Sequence, residues 1–366
     1  MNDRSAESLV YLVSCAVNGA VPDTGRVSAM DLKAVYDTAG RHMLRAAAAA
    51  ALSSAGVRDP DFTEAYAKAV RKTALLNAEL SALERALNTA GIAYLPLKGA
   101  VLQKDYPLFG LREMSDVDIL IDPSRAGDVR EIMERLGFTA ESFDRDYHDV
   151  YHKPPVCSFE IHRSLFSPVY TPVIRDYYSG ILARLLPGEG TALRMSDEDF
   201  YVYMIAHGYK HFSLGGTGLR SALDIYVYLK KHAGLDRGYI EGELEKLGLR
   251  EHEALIRDLS LRLFGGEAPA EGADEMLRFL VDSGAYGRLD TKIANAVKER
   301  GAVRYVLSRA FLPMFYVKKA YPWFYAHRAA LPLLPFYRLW LGLTRRRSSF
   351  RRELTQLLRN RKKRPP

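Results

Sequence analysis

The chain has 366 residues, 48% hydrophobic and 26% charged, which are ordinary globular proportions with material for two or three packed units. No apolar run is long enough to span a bilayer: the best candidate, residues 331–343, is short and carries two prolines and an arginine. No basic region followed by an apolar stretch opens the chain, and its two cysteines, Cys15 and Cys157, lack a CxxC spacing, so neither a disulfide framework nor a zinc site is expected. The economical expectation is a cytoplasmic protein with no transmembrane segment.

The net charge of +8 is unevenly placed. Residues 345–366 hold ten Lys/Arg against Glu353, so this tail alone carries +9 and the other 344 residues sum to about −1. A balanced body argues against a protein whose whole surface grips nucleic acid. The basic tail is a candidate contact for RNA, an anionic membrane surface or an acidic partner, and attachment at a membrane edge is included among its readings. A solvated end is the plain alternative.

In chain order, residues 6–90 read as helical. "HMLRAAAAAALSSAG" (42–56) has high helix propensity and stops at Gly56. Asp61 in the turn cluster 56–61 is the expected cap of a helix running to about Ala90, with Phe62, Tyr66, Ala69, Leu76, Leu80, Leu83 and Leu87 near helical spacing. "IAYLPLKG" (92–99) is a short strand, 100–106 one or two helical turns and 107–115 a loop. "VDILID" (117–122) alternates as a strand. Residues 123–138 form a helix with Pro123 at its start and Gly137 at its end. Two strands, 146–153 and 156–166, flank Pro154–Pro155. From Ser196, an N-cap, the chain returns to helix, with a second helix at 219–232 and shorter ones beyond. The Gly-rich "GGTG" (215–218) follows a helix rather than a strand and reads as a connector. Aromatics of 311–340 lie among Leu and Pro and are expected to be core, with stacking on bases as the alternative.

The chemistry centres on "LREMSDVDILI" (111–121). Residues two apart on a strand share a face, so Asp116 and Asp118 converge while Val117 points the other way. Two close carboxylates repel unless a cation lies between them, and a hard divalent ion takes one or two carboxylates plus substrate phosphate oxygens. Upstream, Lys98 and Gly99 end a strand and open a helix, where backbone N–H groups favour a phosphate. Arg112 and Ser115 flank the pair, in reach of the same anion. Glu160, between Phe159 and Ile161, is a candidate third acid. D-x-D alone is a weak signal, and a structural role competes with it.

"LPLKGAVLQKDYPLFGLREMSDVDILID" followed by "FEIHRSLF" resembles the DNA-polymerase-β-type nucleotidyltransferase superfamily, and more narrowly a bacterial family with K-G in place of the usual G-S. The similarity extends through "HGYKHF", "LRSALDIYVYL" and "AYPWFYAHRAALPLLPFYRL", covering roughly residues 70–345. It implies an α+β fold: a small mixed sheet with N-terminal and C-terminal helical regions. The expected division is 1–75 helical, 76–190 catalytic core, 191–310 helical domain, and 311–366 aromatic segment and basic tail. The resemblance implies that Asp116, Asp118 and Glu160 bind two Mg²⁺ ions, with Mn²⁺ as a substitute. It also implies that Lys98, Gly99, Arg112 and Ser115 hold the triphosphate of an NTP, ATP included. An NMP would pass to an acceptor of unknown identity with release of pyrophosphate. Ala100 stands where the superfamily's serine would be, so a lysine replaces the hydroxyl electrostatically.

His207 and His211 lie i,i+4 on one helix, with Lys210 between them and Asp224 on the next helix. A hydrogen bond from His211 to Asp224, a metal pair, and contact with nucleotide or acceptor are the three readings. Two rival functions remain. A glycosyltransferase also uses D-x-D to hold a metal and a sugar nucleotide, but its motif closes an apolar strand, whereas here the apolar run follows the acids. A non-catalytic nucleotide-binding protein would not need all three carboxylates.

Overall fold

A computed structural model describes residues 4–168, 170–266, 274–285, 311, 312, 314, 317 and 320–344. The basic tail 345–366 and the end of the helical domain expected to close at 310 lie outside the described residues. The chain divides into two compact units, Met1–Tyr209 with Gly218–Ala285, and Lys210–Thr217 with Tyr286–Pro366.

The first unit opens with α1 (Arg4–Asn18), α2 (Thr24–Ser28), α3 (Leu32–His42) and α4 (Arg45–Ser54). The long α5 (Pro60–Thr89) is capped by Asp59, not Asp61: the Phe62 amide donates to Asp59 Oδ1 at 3.1 Å. Pro60 takes the first helical position, where its missing N–H costs nothing, and Asp61 moves into the first turn. The expected boundary at 75/76 therefore falls inside α5.

Five strands follow: β1 (Tyr94–Pro96), β2 (Val117–Ile121), β3 (Thr139–Ser142), β4 (His148–Lys153) and β5 (Cys157–His162). They form one mixed sheet in the order β1-β2-β5-β4-β3, with β2 parallel to β5 and every other pairing antiparallel. Between β1 and β2 lies the single-turn α6 (Gly99–Leu102); between β2 and β3 lies α7 (Ala126–Arg135). The helix expected over 123–138 is shorter, because Pro123–Arg125 forms a 3₁₀ turn and Gly137 (φ +85°) redirects the chain into β3. After α8 (Pro172–Tyr178) and a two-stranded ribbon of β6 (Leu186–Pro187) and β7 (Leu193–Arg194) comes α9 (Asp197–Leu214), started by Ser196 Oγ accepting from the Asp199 amide at 3.0 Å. The helices α10 (Leu219–Lys231), α11 (Arg237–Leu247), α12 (Arg250–Gly265) and α13 (Asp274–Ser283) complete the unit's described elements.

Strand parity sorts the sheet's two faces. Val117, Ile119 and Ile121 of β2 and Cys157, Phe159 and Ile161 of β5 pack with Leu76, Leu80, Leu83 and Leu87 of α5 and with α7. The opposite parity sends Leu95 and Leu120 into a larger core shared with α1, α3, α4 and α9–α13. Asp118, Glu160 and His162 belong to this second parity, so the sheet presents them away from α5.

In the second unit the expected core position of the aromatic segment does not hold for Trp323, Phe336 and Trp340, which are exposed, while Tyr321, Phe324 and Tyr325 are half-buried. The helix Leu334–Thr344 buries Leu334 and turns Phe336 and Trp340 outward.

The α5 ridge supports the face behind the site, so its inward positions should dominate stability. Leu83→Ala, at a fully buried position, should cost about 2–5 kcal/mol. Leu75→Ala on the same helix, 41% exposed, should stay within about 0.5 kcal/mol. Urea unfolding of both variants checks the contrast, and equal losses would show that the helix is misplaced.

Candidate active site

The site is built where β2 and β5 run side by side in parallel. Asp118 and Glu160 are register partners on these strands, and His162 follows two residues later on the same face. One ligand atom from each of Asp118, Glu160 and His162 lies within 4.8 Å of the others, a spacing that suits a metal ion. Asp116 is not in that close group. It sits one residue before β2, half-buried, with its Oδ1 accepting from the Ser115 hydroxyl at 2.9 Å.

Asp118 is the buried charge, its side chain 4% exposed. Its Oδ1 accepts from Lys98 Nζ at 2.6 Å and from His162 Nε2 at 2.8 Å. Burial alone would raise its pKa, but the Lys98 charge and the His162 hydrogen bond overcome that and hold the carboxyl far below its usual range. Burial also works against the Lys98 ammonium, yet Asp118, with help from Glu160 and Asp116, leaves its pKa raised. Glu160 is opposed by burial and the Asp118 charge, but the His162 hydrogen bond and the nearby His148 and Lys98 bring its pKa down. Asp116 goes the other way, raised by burial and then by Asp118 and Glu160. The three carboxylates thus share one field.

Lys98 is delivered by an uncommon backbone. The Ala100 amide bonds to the Leu97 carbonyl at 3.1 Å, closing a four-residue turn with Lys98 at φ +44°, ψ −115°. That is the first central position of a type II′ turn, which glycine normally occupies, and a lysine there stores about 1–3 kcal/mol of strain. Gly99 follows, buried, and a Cβ on it would lie 2.6 Å from Arg112 Nη1 and 2.9 Å from Met114 Sδ. The glycine lets the ends of the Arg112 and Met114 side chains pack close, and any other residue would make them shift. The helix it opens has four residues, too short for a strong dipole at its N-terminus.

The structure gives Arg112 a buried partner within the protein. Its Nε and Nη2 donate to Asp224 Oδ1 and Oδ2 at 2.8 and 2.9 Å, and the Tyr106 hydroxyl donates to Oδ1 at 2.7 Å. All three side chains are buried. The guanidinium thus ties the 111–116 loop to α10, and both oxygens of Asp224 accept hydrogen bonds. Arg220 Nη1 donates to the Glu113 carbonyl at 2.9 Å, Glu113 Oε1 accepts from the Ala46 amide at the start of α4 at 3.0 Å, and Lys72 Nζ of α5 donates to the Ser115 carbonyl at 2.9 Å. The loop carrying Asp116 is fixed from α4, α5 and α10.

His207 lies on α9, its ring 5.8 Å from that of Tyr203. Lys210 and His211 belong to the second compact unit, where the His211 carbonyl accepts from the Gly215 and Gly216 amides. The residues that sequence reasoning passed over are His162 and His148. His148 Nε2 lies 3.9 Å from Glu160 Oε1, and its ring centroid is 5.2 Å from that of His162. The signal for His162 was present, since 160 and 162 share a face by the same two-residue rule applied to 116 and 118. Nothing local marks His148, which arrives through the β4–β5 pairing.

A mixed sheet that sets an aspartate and a glutamate in register on two parallel strands, beside a lysine turn and a D-x-D start, has the arrangement of a nucleotidyltransferase core. A family model described as an uncharacterised nucleotidyltransferase matches residues 28–265, and the chain belongs to that family. It is accordingly a transferase of nucleotidyl groups. No curated protein and no solved structure matches it. Among the described residues, no helix is long and apolar enough to cross a membrane.

Removing one partner of the buried Arg112–Asp224 pair leaves an uncompensated charge. Arg112→Met and Asp224→Leu should each cost about 3–5 kcal/mol, and the double variant should recover much of that loss. Denaturant unfolding of the three variants tests it, and near-additive losses would mean that the pair does not act as a unit.

Proposed function

We propose that the chain moves an NMP from an NTP to a hydroxyl or similar acceptor, with Mg²⁺, or Mn²⁺ in its place, as the metal. The observation that carries this reading is the in-register pair Asp118 and Glu160 with their ligand atoms beside His162 Nε2. The donor set suits the ion: carboxylate oxygens match a hard divalent cation, and the imidazole is compatible with Mn²⁺. Three buried polar atoms near the carboxylates, His148 Nδ1, His162 Nδ1 and Tyr203 Oη, have no hydrogen-bond partner within the protein, so the site has polar capacity beyond its internal bonds.

Asp116, Asp118 and Glu160 would hold the metal, with His162 fixing the orientation of Asp118. When bound, a divalent ion supplies charge neutralisation to the triphosphate and eases ionisation of the acceptor hydroxyl. The chain's own residues do the rest. Lys98 is the cation the protein places on Asp118, and that contact uses one of the three N–H donors of its ammonium, leaving the others for a triphosphate oxygen. Glu160, with a lowered pKa and a side chain 26% exposed, is the carboxylate ready to accept the acceptor's proton. The acceptor oxygen then bonds to the α-phosphorus as the bond to pyrophosphate breaks. Ser115 holds Asp116, and Arg112 keeps the loop in place without touching substrate. The sugar-nucleotide alternative loses ground, because the acids open β2 and the family match points to nucleotidyl transfer.

Calorimetry with each NTP, with and without Mg²⁺, tests the reading. Wild-type protein should bind at least one NTP only with the metal, Asp118→Ala should abolish that binding, and His162→Ala should weaken metal affinity about 10–100-fold. NTP binding indifferent to both Mg²⁺ and Asp118→Ala would overturn the proposal.

A further inference from the structure

A helix on a protein surface in water normally turns its polar side outward and its apolar side in. The helix Leu334–Thr344 turns an apolar side outward. Leu334 is buried, while Leu333 just before it, Phe336, Tyr337 and Trp340 are 61%, 69%, 40% and 53% exposed. These four positions follow the i, i+3, i+4, i+7 spacing of one helical face, and Leu339, 48% exposed, widens it. The preceding helix Pro322–Ala326 adds Trp323, 58% exposed, and is joined to the first through Phe324 and Tyr337, whose rings lie 5.4 Å apart. So large an outward apolar face marks an interaction surface.

The residue types and the sequence that follows indicate its partner. Trp, Tyr and Phe mixed with Leu suit a boundary between oil and water, where the rings sit at headgroup level. Directly after Thr344 come the ten Lys/Arg of residues 345–366, against the single Glu353. A basic cluster beside an apolar helical face combines two separately weak signals into stable attachment at an anionic bilayer. RNA would use ring faces for stacking, but the Trp323 face already stacks on His327 at 4.5 Å, and Tyr337 stacks against Trp340 at 6.0 Å. Leu333 and Leu339 offer a base nothing.

We propose that the outward face of Leu333–Trp340, with Trp323, is a docking surface that lays this chain on an anionic lipid bilayer, the basic tail supplying the electrostatic part. The apolar face enters the headgroup boundary and does not cross it. This inference stands apart from the transfer chemistry and concerns where the enzyme works.

The two tryptophans of the chain, Trp323 and Trp340, both lie on this surface, so intrinsic fluorescence reports on it alone. Full-length protein is mixed with vesicles of phosphatidylcholine, with or without about 30% phosphatidylglycerol, then sedimented and its emission recorded. The expected result is co-sedimentation and a blue shift with anionic vesicles only, weakened at least about tenfold by about 0.5 M salt and by Phe336→Glu. Both Phe336→Glu and wild type should give the same circular dichroism, since the position is exposed. No shift and no co-sedimentation with anionic vesicles overturns the proposal. A lipid-independent blue shift that grows with protein concentration would assign the face to a second copy instead. Binding to single-stranded RNA that abolishes the vesicle interaction of the tail but leaves no tryptophan shift with lipid would also overturn it.

Discussion

The buried carboxylate of Asp118 is the constraint around which the rest is arranged. Taking one ionised group out of water costs several kcal/mol even after relaxation, so a charge 4% exposed must be met by a cation and hydrogen bonds. Lys98 and His162 both converge on the same oxygen, Oδ1. Much of the local structure can be read as the means of getting those two groups there. Lys98 accepts a turn position that glycine would take without strain. His162 occupies the last residue of β5, two beyond the in-register partner of Asp118.

From that requirement the packing follows outward. Beside the tight turn at Lys98, Gly99 leaves room for the ends of the Arg112 and Met114 side chains to pack close. Arg112, once buried, needs a counter-charge, and Asp224 on α10 supplies it with both oxygens. An ion pair 112 residues apart in sequence therefore connects the D-x-D loop to a helix beyond the sheet. The 111–116 loop has no free end: α4 holds Glu113, α5 holds Ser115, and α10 holds Arg112 and Glu113. The helical regions are thus part of the site's geometry, and the sheet alone would leave the 111–116 loop without its anchors.

The sheet's parity was legible because it obeys a single local rule. Two-residue periodicity in "VDILI" and "FEIH" separates the residues facing α5 from the carboxylates on the other face, and the helix start at Ser196 carries its own capping chemistry. Three kinds of information were not local. β3 reads "TAES", with no apolar alternation, and becomes a strand only because β4 offers it an edge. Arg112 resembles a phosphate ligand on a loop, and only the distant Asp224 turns it into a tether. The aromatics of 311–340 have core composition, and composition cannot say which side of a helix faces a neighbour. In each case the sequence specifies the residue's chemistry while a partner far along the chain specifies its use.

Lys98 links the resting site to the working one. In the structure its ammonium does for Asp118 what a divalent ion would do, neutralising a carboxylate that burial would otherwise push toward protonation. That contact uses one of the three N–H donors of the ammonium, and a divalent ion held by Asp116, Asp118 and Glu160 would add positive charge to the same carboxylates. Lys98 is thus the counter-ion that the protein itself supplies to its most buried carboxylate, and an ammonium with donors to spare can meet an anion beside it without giving up Asp118.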